Sequence, residues 1–183
     1  MKKLIFTLLF IFIITALYSA KSYRVLSRGT VRDNSTGLIW TRCSLSDKDA
    51  PIYDFKCSEN RKTYTWTEAV QVCKNLVHEG RSDWRLPSIN ELQSIIYYNH
   101  YATGLENCSQ IVEDAFPGVV TAAQCSDNTA TIHYWSSTTH INVDGNSKNY
   151  IWFADFKWGS VGFTGQDFFG YPIKKYVRCV AGP

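Results

Sequence analysis

The chain is defined first by chemistry it does not carry. No two of its six cysteines form a Cys-x-x-Cys pair, and His78, His100, His133 and His140 stand at no ligand spacing to them. That argues against a zinc site. No Gly-x-Ser-x-Gly elbow occurs, which removes the usual signature of a serine hydrolase. No collagen-like or heptad repeat is present, so the chain builds no fibre of its own. Strong charge is missing too. Lys and Arg number 19 against 16 Asp and Glu, and two of the basic residues, Lys2 and Lys3, fall in the extreme N-terminus. This is not the balance of a nucleic-acid binder.

What is present starts with a leader. Lys2 and Lys3 precede an uncharged run from Leu4 to Leu17, and small residues follow at Ser19 and Ala20. That order is a secretory signal peptide, and the run is short for a membrane span. No cysteine ends the run, so lipoprotein processing is not expected. Residues 1–20 are read as the signal and 21–183 as a single domain, exported to the periplasm, the surface or the medium, with no membrane attachment after cleavage. In such a compartment Cys43, Cys57, Cys73, Cys108, Cys125 and Cys179 are expected to form disulfides.

The stretch Gly80-Arg81-Ser82-Asp83-Trp84-Arg85-Leu86-Pro87-Ser88-Ile89-Asn90-Glu91-Leu92 organises the rest. Ser88 and Glu91 form a capping box, and Pro87 forbids helix upstream of it. Behind the cap, Ile89, Leu92, Ile95 and Ile96 share one helical face. Trp84 and Leu86 alternate with the arginines, so the loop is expected to bury an indole and leave its guanidinium groups free.

Thr65 and Glu68 form a second capping box. The helix behind it lines up Trp66, Ala69, Val70, Cys73, Leu76 and Val77, with Gly80 as its C-terminal stop. This makes Cys73 core-facing. Upstream, Val31 to Trp40 reads as a hairpin around Asp33-Asn34-Ser35-Thr36-Gly37. Cys43 to Cys57 encloses a polar insertion stapled by its own disulfide. Residues 99–131 lose periodicity and read as a long loop, ordered if a disulfide closes it. Strands are expected at Tyr134–Thr139, at Tyr150–Phe156 in a central position, at Val161–Phe163 after a Trp158-Gly159-Ser160 turn, and at Tyr176–Val180. Asp144-Gly145 offers a hairpin turn. The class is α+β, two helices packed on antiparallel sheet.

Taken together, Thr36-Gly37-Leu38-Ile39-Trp40, the Ala69–Cys73 helix, Asp83-Trp84-Arg85-Leu86-Pro87-Ser88 with Glu91-Leu92, Tyr134-Trp135-Ser136-Ser137-Thr138 and Val177-Arg178-Cys179 resemble the Lcl C-terminal domain family. The resemblance implies a C-type-lectin-like fold, a place among bacterial surface and secreted proteins, and adhesion as in the family's best-known member. The Arg85-Leu86-Pro87-Ser88…Glu91 and Arg178 elements also look like formylglycine-generating-type domains. Both likenesses imply that the helix cysteine bonds the last strand, Cys73–Cys179. Cys43–Cys57 and Cys108–Cys125 are then expected as local staples.

The function expected is an exported binding or adhesion module for an extracellular glycan or protein, without catalysis and without a cofactor. Its ligand surface is placed at the long loop, the Asn142–Asn149 turn and the Trp158 tip, with Asn142, Asp144, Lys148, Lys157 and Trp158 as candidates. Arg61-Lys62 and Lys174-Lys175 could contribute a polyanion patch. The Glu-Pro-Asn and Trp-Asn-Asp motifs of calcium-dependent sugar binding are absent. Asn142, Asp144, Asn146 and Asn149 offer oxygen ligands for a weak Ca²⁺, but the terminal bidentate glutamate is missing, and an Asp-Gly turn explains them better. The alternatives are a thiol-dependent oxidase of the formylglycine-generating type and a structural subunit of a surface assembly.

Overall fold

The structure, a computed structural model, describes residues 22–46, 57, 61–97, 108, 111–112, 114–140 and 150–182. The expected leader, the Asp144-Gly145 turn and the candidates Asn142, Asp144 and Lys148 lie outside the described residues.

Nine strands and three helices are described. The first sheet runs β1 (Tyr23–Val25), β2 (Thr30–Asp33), β3 (Ile39–Thr41) and β9 (Val180–Ala181), each pair antiparallel. The expected hairpin is β2–β3. Its turn closes as Asp33 accepts from the Ser35 amide at 2.8 Å and from the Thr36 hydroxyl at 2.9 Å. Gly37 then follows at φ 77°, a left-handed conformation that glycine takes without strain.

The second sheet, β4 (His133–His140), β5 (Tyr150–Asp155) and β6 (Ser160–Thr164), is antiparallel with β5 in the centre, as expected. Its two faces feed two cores. Ala154 and Tyr134 pack with Leu92, Ile95, Phe116 and Phe156. Ile151 and Trp135 pack with Ala69, Cys73, Leu86 and Trp84. Helix α1 (Trp66–Lys74) supplies the second cluster and helix α2 (Ile89–Ile95) the first. Leu92 and Ile95 are fully buried, each contributing about 1.5–3 kcal/mol of transfer free energy.

Both expected capping boxes are present. Thr65 Oγ1 accepts from the Glu68 amide while Glu68 accepts from the Thr65 amide at 2.8 Å. Ser88 and Glu91 repeat the arrangement, with Glu91 accepting from the Ser88 amide at 2.7 Å. Each box satisfies amides that have no partner within the helix.

Four expectations need correction. Helix α1 ends at Lys74 with Asn75 as its cap, short of Gly80, and Val77 is 76% exposed. Glu79 and Gly80 both have positive φ between the paired residues His78 and Arg81, so they form a two-residue turn of the I′ kind. The segment 99–131 is not loop throughout: Ala122–Ser126 forms a third helix, α3, under a Thr121–Gln124 capping box. It buries none of its residues, so no apolar period announces it. The last strand is shorter than Tyr176–Val180. Lys175 and Tyr176 instead make single bridges to Tyr64 and Tyr134, and Val180, within β9, adds one to Arg85. The C-terminal segment therefore ties both sheets to the loops before α1 and α2.

The arginines of the central loop are not free either. Arg85 makes a bidentate pair with Glu91 at 2.8 and 2.6 Å, and Arg81 pairs with Asp83. The Arg85 pair holds the Glu91 carboxyl below the usual carboxylate range. Trp84 and Leu86 are buried as expected.

All three expected disulfides form. Cys73 and Cys179 have Cα atoms 5.5 Å apart across 106 residues of sequence, and Cys43–Cys57 and Cys108–Cys125 close local loops. The result is a disulfide-stapled α+β domain.

Candidate functional site

Of the residues expected from sequence at the ligand surface, Lys157 and Trp158 are described, and they differ in exposure. Trp158 is 55% exposed in the β5–β6 turn. Lys157, expected on the same surface, is fully buried. Its Nζ donates to the Asp127 carbonyl at 2.6 Å and lies 4.6 Å from the Trp158 ring centroid. A cation is buried only where it is partnered, and here it pins the β5–β6 turn to the residues after α3. The basic pairs also come apart. Arg61 donates to the Val119 carbonyl and to Gln124 and lies over the Tyr176 ring, while Lys175 is buried.

Lys175 belongs to an internal polar chain on the α1 side of the second sheet. Its Nζ lies 3.2 Å from His133 Nδ1, and His133 Nε2 lies 3.3 Å from Asp155 Oδ2. The ammonium sits over the Phe153 ring at 4.0 Å and the Trp135 ring at 5.0 Å. Burial lowers the Lys175 pKa to about 8, against an upward pull from Asp155. Burial pushes the Asp155 carboxyl up, but the His133 hydrogen bond and the Lys157 amide outweigh it and leave it below the usual range. Gly162, paired with Phe153, leaves room for this ring: a Cβ there would stand 2.8 Å from Phe153 Cζ.

The exposed chemistry lies at the other end of the sheet from Trp158. Along the face that carries Ala154, the period of two also puts Tyr150 and Trp152. Register places His140 opposite Tyr150, and Phe163 opposite Trp152. His140 stacks on Phe163 with centroids 4.5 Å apart, and Trp152 and Tyr150 meet the same ring at 5.2 and 5.8 Å. Phe163 is still 49% exposed. These rings form an aromatic strip on the surface.

The strip continues into a ribbon that the sequence reading missed. Among the described residues, strands β7 (Asp167–Phe168) and β8 (Tyr171–Pro172) pair only with each other. Every residue from Gln166 to Pro172 is exposed, with Phe168 at 67%, Phe169 at 87% and Tyr171 at 78%. Between ribbon and sheet lies a cleft of about 410 Å³, with Tyr150, Thr164, Asp167, Phe168 and Phe169 in its walls. The signal that would have found it is Phe169-Gly170, a two-residue turn written with an aromatic in place of the usual Asn.

The aromatic strip, the aromatic ribbon and the cleft between them bring most of the exposed rings among the described residues to one side of the second sheet. Among the described residues no group of three or more His, Cys, Asp or Glu is placed to hold a metal ion. No described helix is long and apolar enough to cross a membrane.

The fold and its staples define the class: a disulfide-stapled α+β domain of the kind found outside the cytoplasm. The chain matches the Lcl C-terminal domain family over residues 29–181 and belongs to it. No curated protein and no solved structure matches it.

Proposed function

We propose that the protein is an exported binding module that recognises an extracellular glycan or protein through the aromatic strip and the β7–β8 ribbon. One observation carries the reading: three large aromatic side chains stand exposed on a two-stranded ribbon, beside a strip of half-buried rings that includes the exposed Phe163. Soluble domains seldom leave contiguous rings in water unless a partner covers them. Family membership supports an extracellular role, and the three disulfides suit an oxidising compartment.

Catalysis by free thiols finds no support. All six cysteines are paired, leaving no thiolate to act as a nucleophile. The role proposed for the exposed rings is that of a docking surface.

The test is a glycan and extracellular-matrix protein array probed with the mature domain at two salt concentrations, alongside Phe163→Ala and Phe169→Ala. A ligand whose signal falls in both variants supports the reading. Ligands indifferent to both would place the binding surface elsewhere.

A further inference from the structure

The cleft beside the ribbon has a specific composition. Tyr150, Phe168 and Phe169 contribute aromatic rings, and Asp167 is the one charged side chain among the described residues lining it. Thr164 adds a hydroxyl. Aromatic faces carry negative charge, and a carboxylate beside them adds to it, so the cleft favours a cation that is weakly hydrated. A neutral sugar would gain from the rings, but the fixed charge would give it no more than a hydrogen bond.

The backbone of the turn is unusual as well. Phe169 has φ 51° and Gly170 φ 83°, the two left-handed positions of a two-residue turn. A bulky aromatic is a poor occupant of that conformation. Phe169 is repaid by little packing, since it is 87% exposed and its ring meets that of Phe168 at 4.5 Å. Left-handed strain at a non-glycine residue concentrates at functional sites.

We propose that this cleft binds an alkylammonium group, with Tyr150, Phe168 and Phe169 as its aromatic wall and Asp167 as its counter-charge. The inference rests on the reading of the ribbon as a binding surface and names the chemistry it takes. A quaternary ammonium suits the cleft best, because it sheds water readily and makes no directional hydrogen bonds. Choline head groups and methylated lysine side chains share that chemistry.

Calorimetric titration of the mature domain with choline, and with 3,3-dimethyl-1-butanol as its uncharged isostere, tests the assignment. Choline is expected to bind in the millimolar range and the isostere at least about tenfold more weakly. Asp167→Asn keeps an acceptor for the Gly170 amide, which Asp167 Oδ1 accepts at 3.4 Å. It should weaken choline on the order of fivefold and the uncharged isostere by less. Phe169→Asn suits the turn better and should lose choline without loss of thermal stability. Phosphocholine, a trimethyl-lysine peptide and phosphatidylcholine vesicles, run in parallel, separate the sources of the group.

Equal binding of choline and its isostere, no choline binding up to about 0.1 M, or an unchanged affinity in Asp167→Asn would each overturn the cation assignment. If array ligands still respond to Phe169→Asn in that event, the ribbon remains a binding surface with another ligand. If they do not, the binding reading falls with it.

Discussion

Lys175 Nζ and His133 Nδ1 lie 3.2 Å apart inside the domain, joining the C-terminal segment to the first residue of β4. Burial holds the Lys175 pKa at about 8 against an ordinary 10.5. The unfolded chain therefore binds more protons than the folded one between those values, and stability rises with pH across that window. The rise should show most clearly below pH 10, because burial raises the Tyr23 pKa above its ordinary 10.0 and opposes it from there. Denaturant unfolding from pH 7.5 to 9.5 should show a rising midpoint, and Lys175→Met should flatten it. A flat wild-type profile would mean that Lys175 is solvated.

The Cys73–Cys179 bond closes 106 residues of sequence and joins α1 to the C-terminal segment inside the second core. Loop-closure entropy sets an upper value of about 4–5 kcal/mol for such a bridge. Cys73→Ala with Cys179→Ala should lower the unfolding free energy by an amount approaching this, whereas loss of a local staple should cost less, up to about 3 kcal/mol. Non-reducing peptide mapping should link Cys73 to Cys179 and no other cysteine.

Glu91 has two tasks, as the return arm of the α2 capping box and as the partner of Arg85. Arg85 is 45% exposed on its side chain, so Arg85→Ala should cost no more than about 1 kcal/mol and the cost should shrink in high salt. Ser88→Ala removes a cap and should cost about 1 kcal/mol irrespective of salt. Thermal melts at two ionic strengths separate them. Because the Glu91 carboxyl sits below its ordinary range, its contribution is present above the unfolded carboxylate pKa and fades as pH falls through the folded one.

Lys157 and Trp158, neighbours in sequence, should behave as opposites. Lys157 is buried and donates to the Asp127 carbonyl. Its replacement by Ala should cost about 2 kcal/mol, the range for a buried hydrogen bond from a charged group. Trp158→Ala, at a position 55% exposed, should leave the unfolding free energy within about 1 kcal/mol of wild type. Equal costs for the two would contradict this geometry.

What the sequence determined by itself is whatever is encoded within a few neighbouring residues. The Thr65–Glu68 and Ser88–Glu91 boxes each need a hydroxyl and a carboxylate three apart, and both formed where the pattern put them. The period of two through Tyr150–Phe156 placed β5 in the centre of its sheet, because a strand buried on both faces must be apolar on both. The α+β class followed from these elements, and family resemblance supplied the Cys73–Cys179 pairing.

Tertiary structure decided which polar and aromatic side chains stay in water, because exposure depends on neighbours far away in the chain. Nothing local distinguishes Lys157, which meets Asp127, from an ordinary turn lysine. Nothing local frees Arg85 or holds it; Glu91 does so once α2 is in place. The same holds for the rings. Phe156 and Phe163 flank one turn, yet Phe156 is enclosed by the first core while Phe163 is left 49% exposed. The ribbon of Phe168, Phe169 and Tyr171 stands in solvent because, among the described residues, β7 and β8 pair with each other and with no further strand.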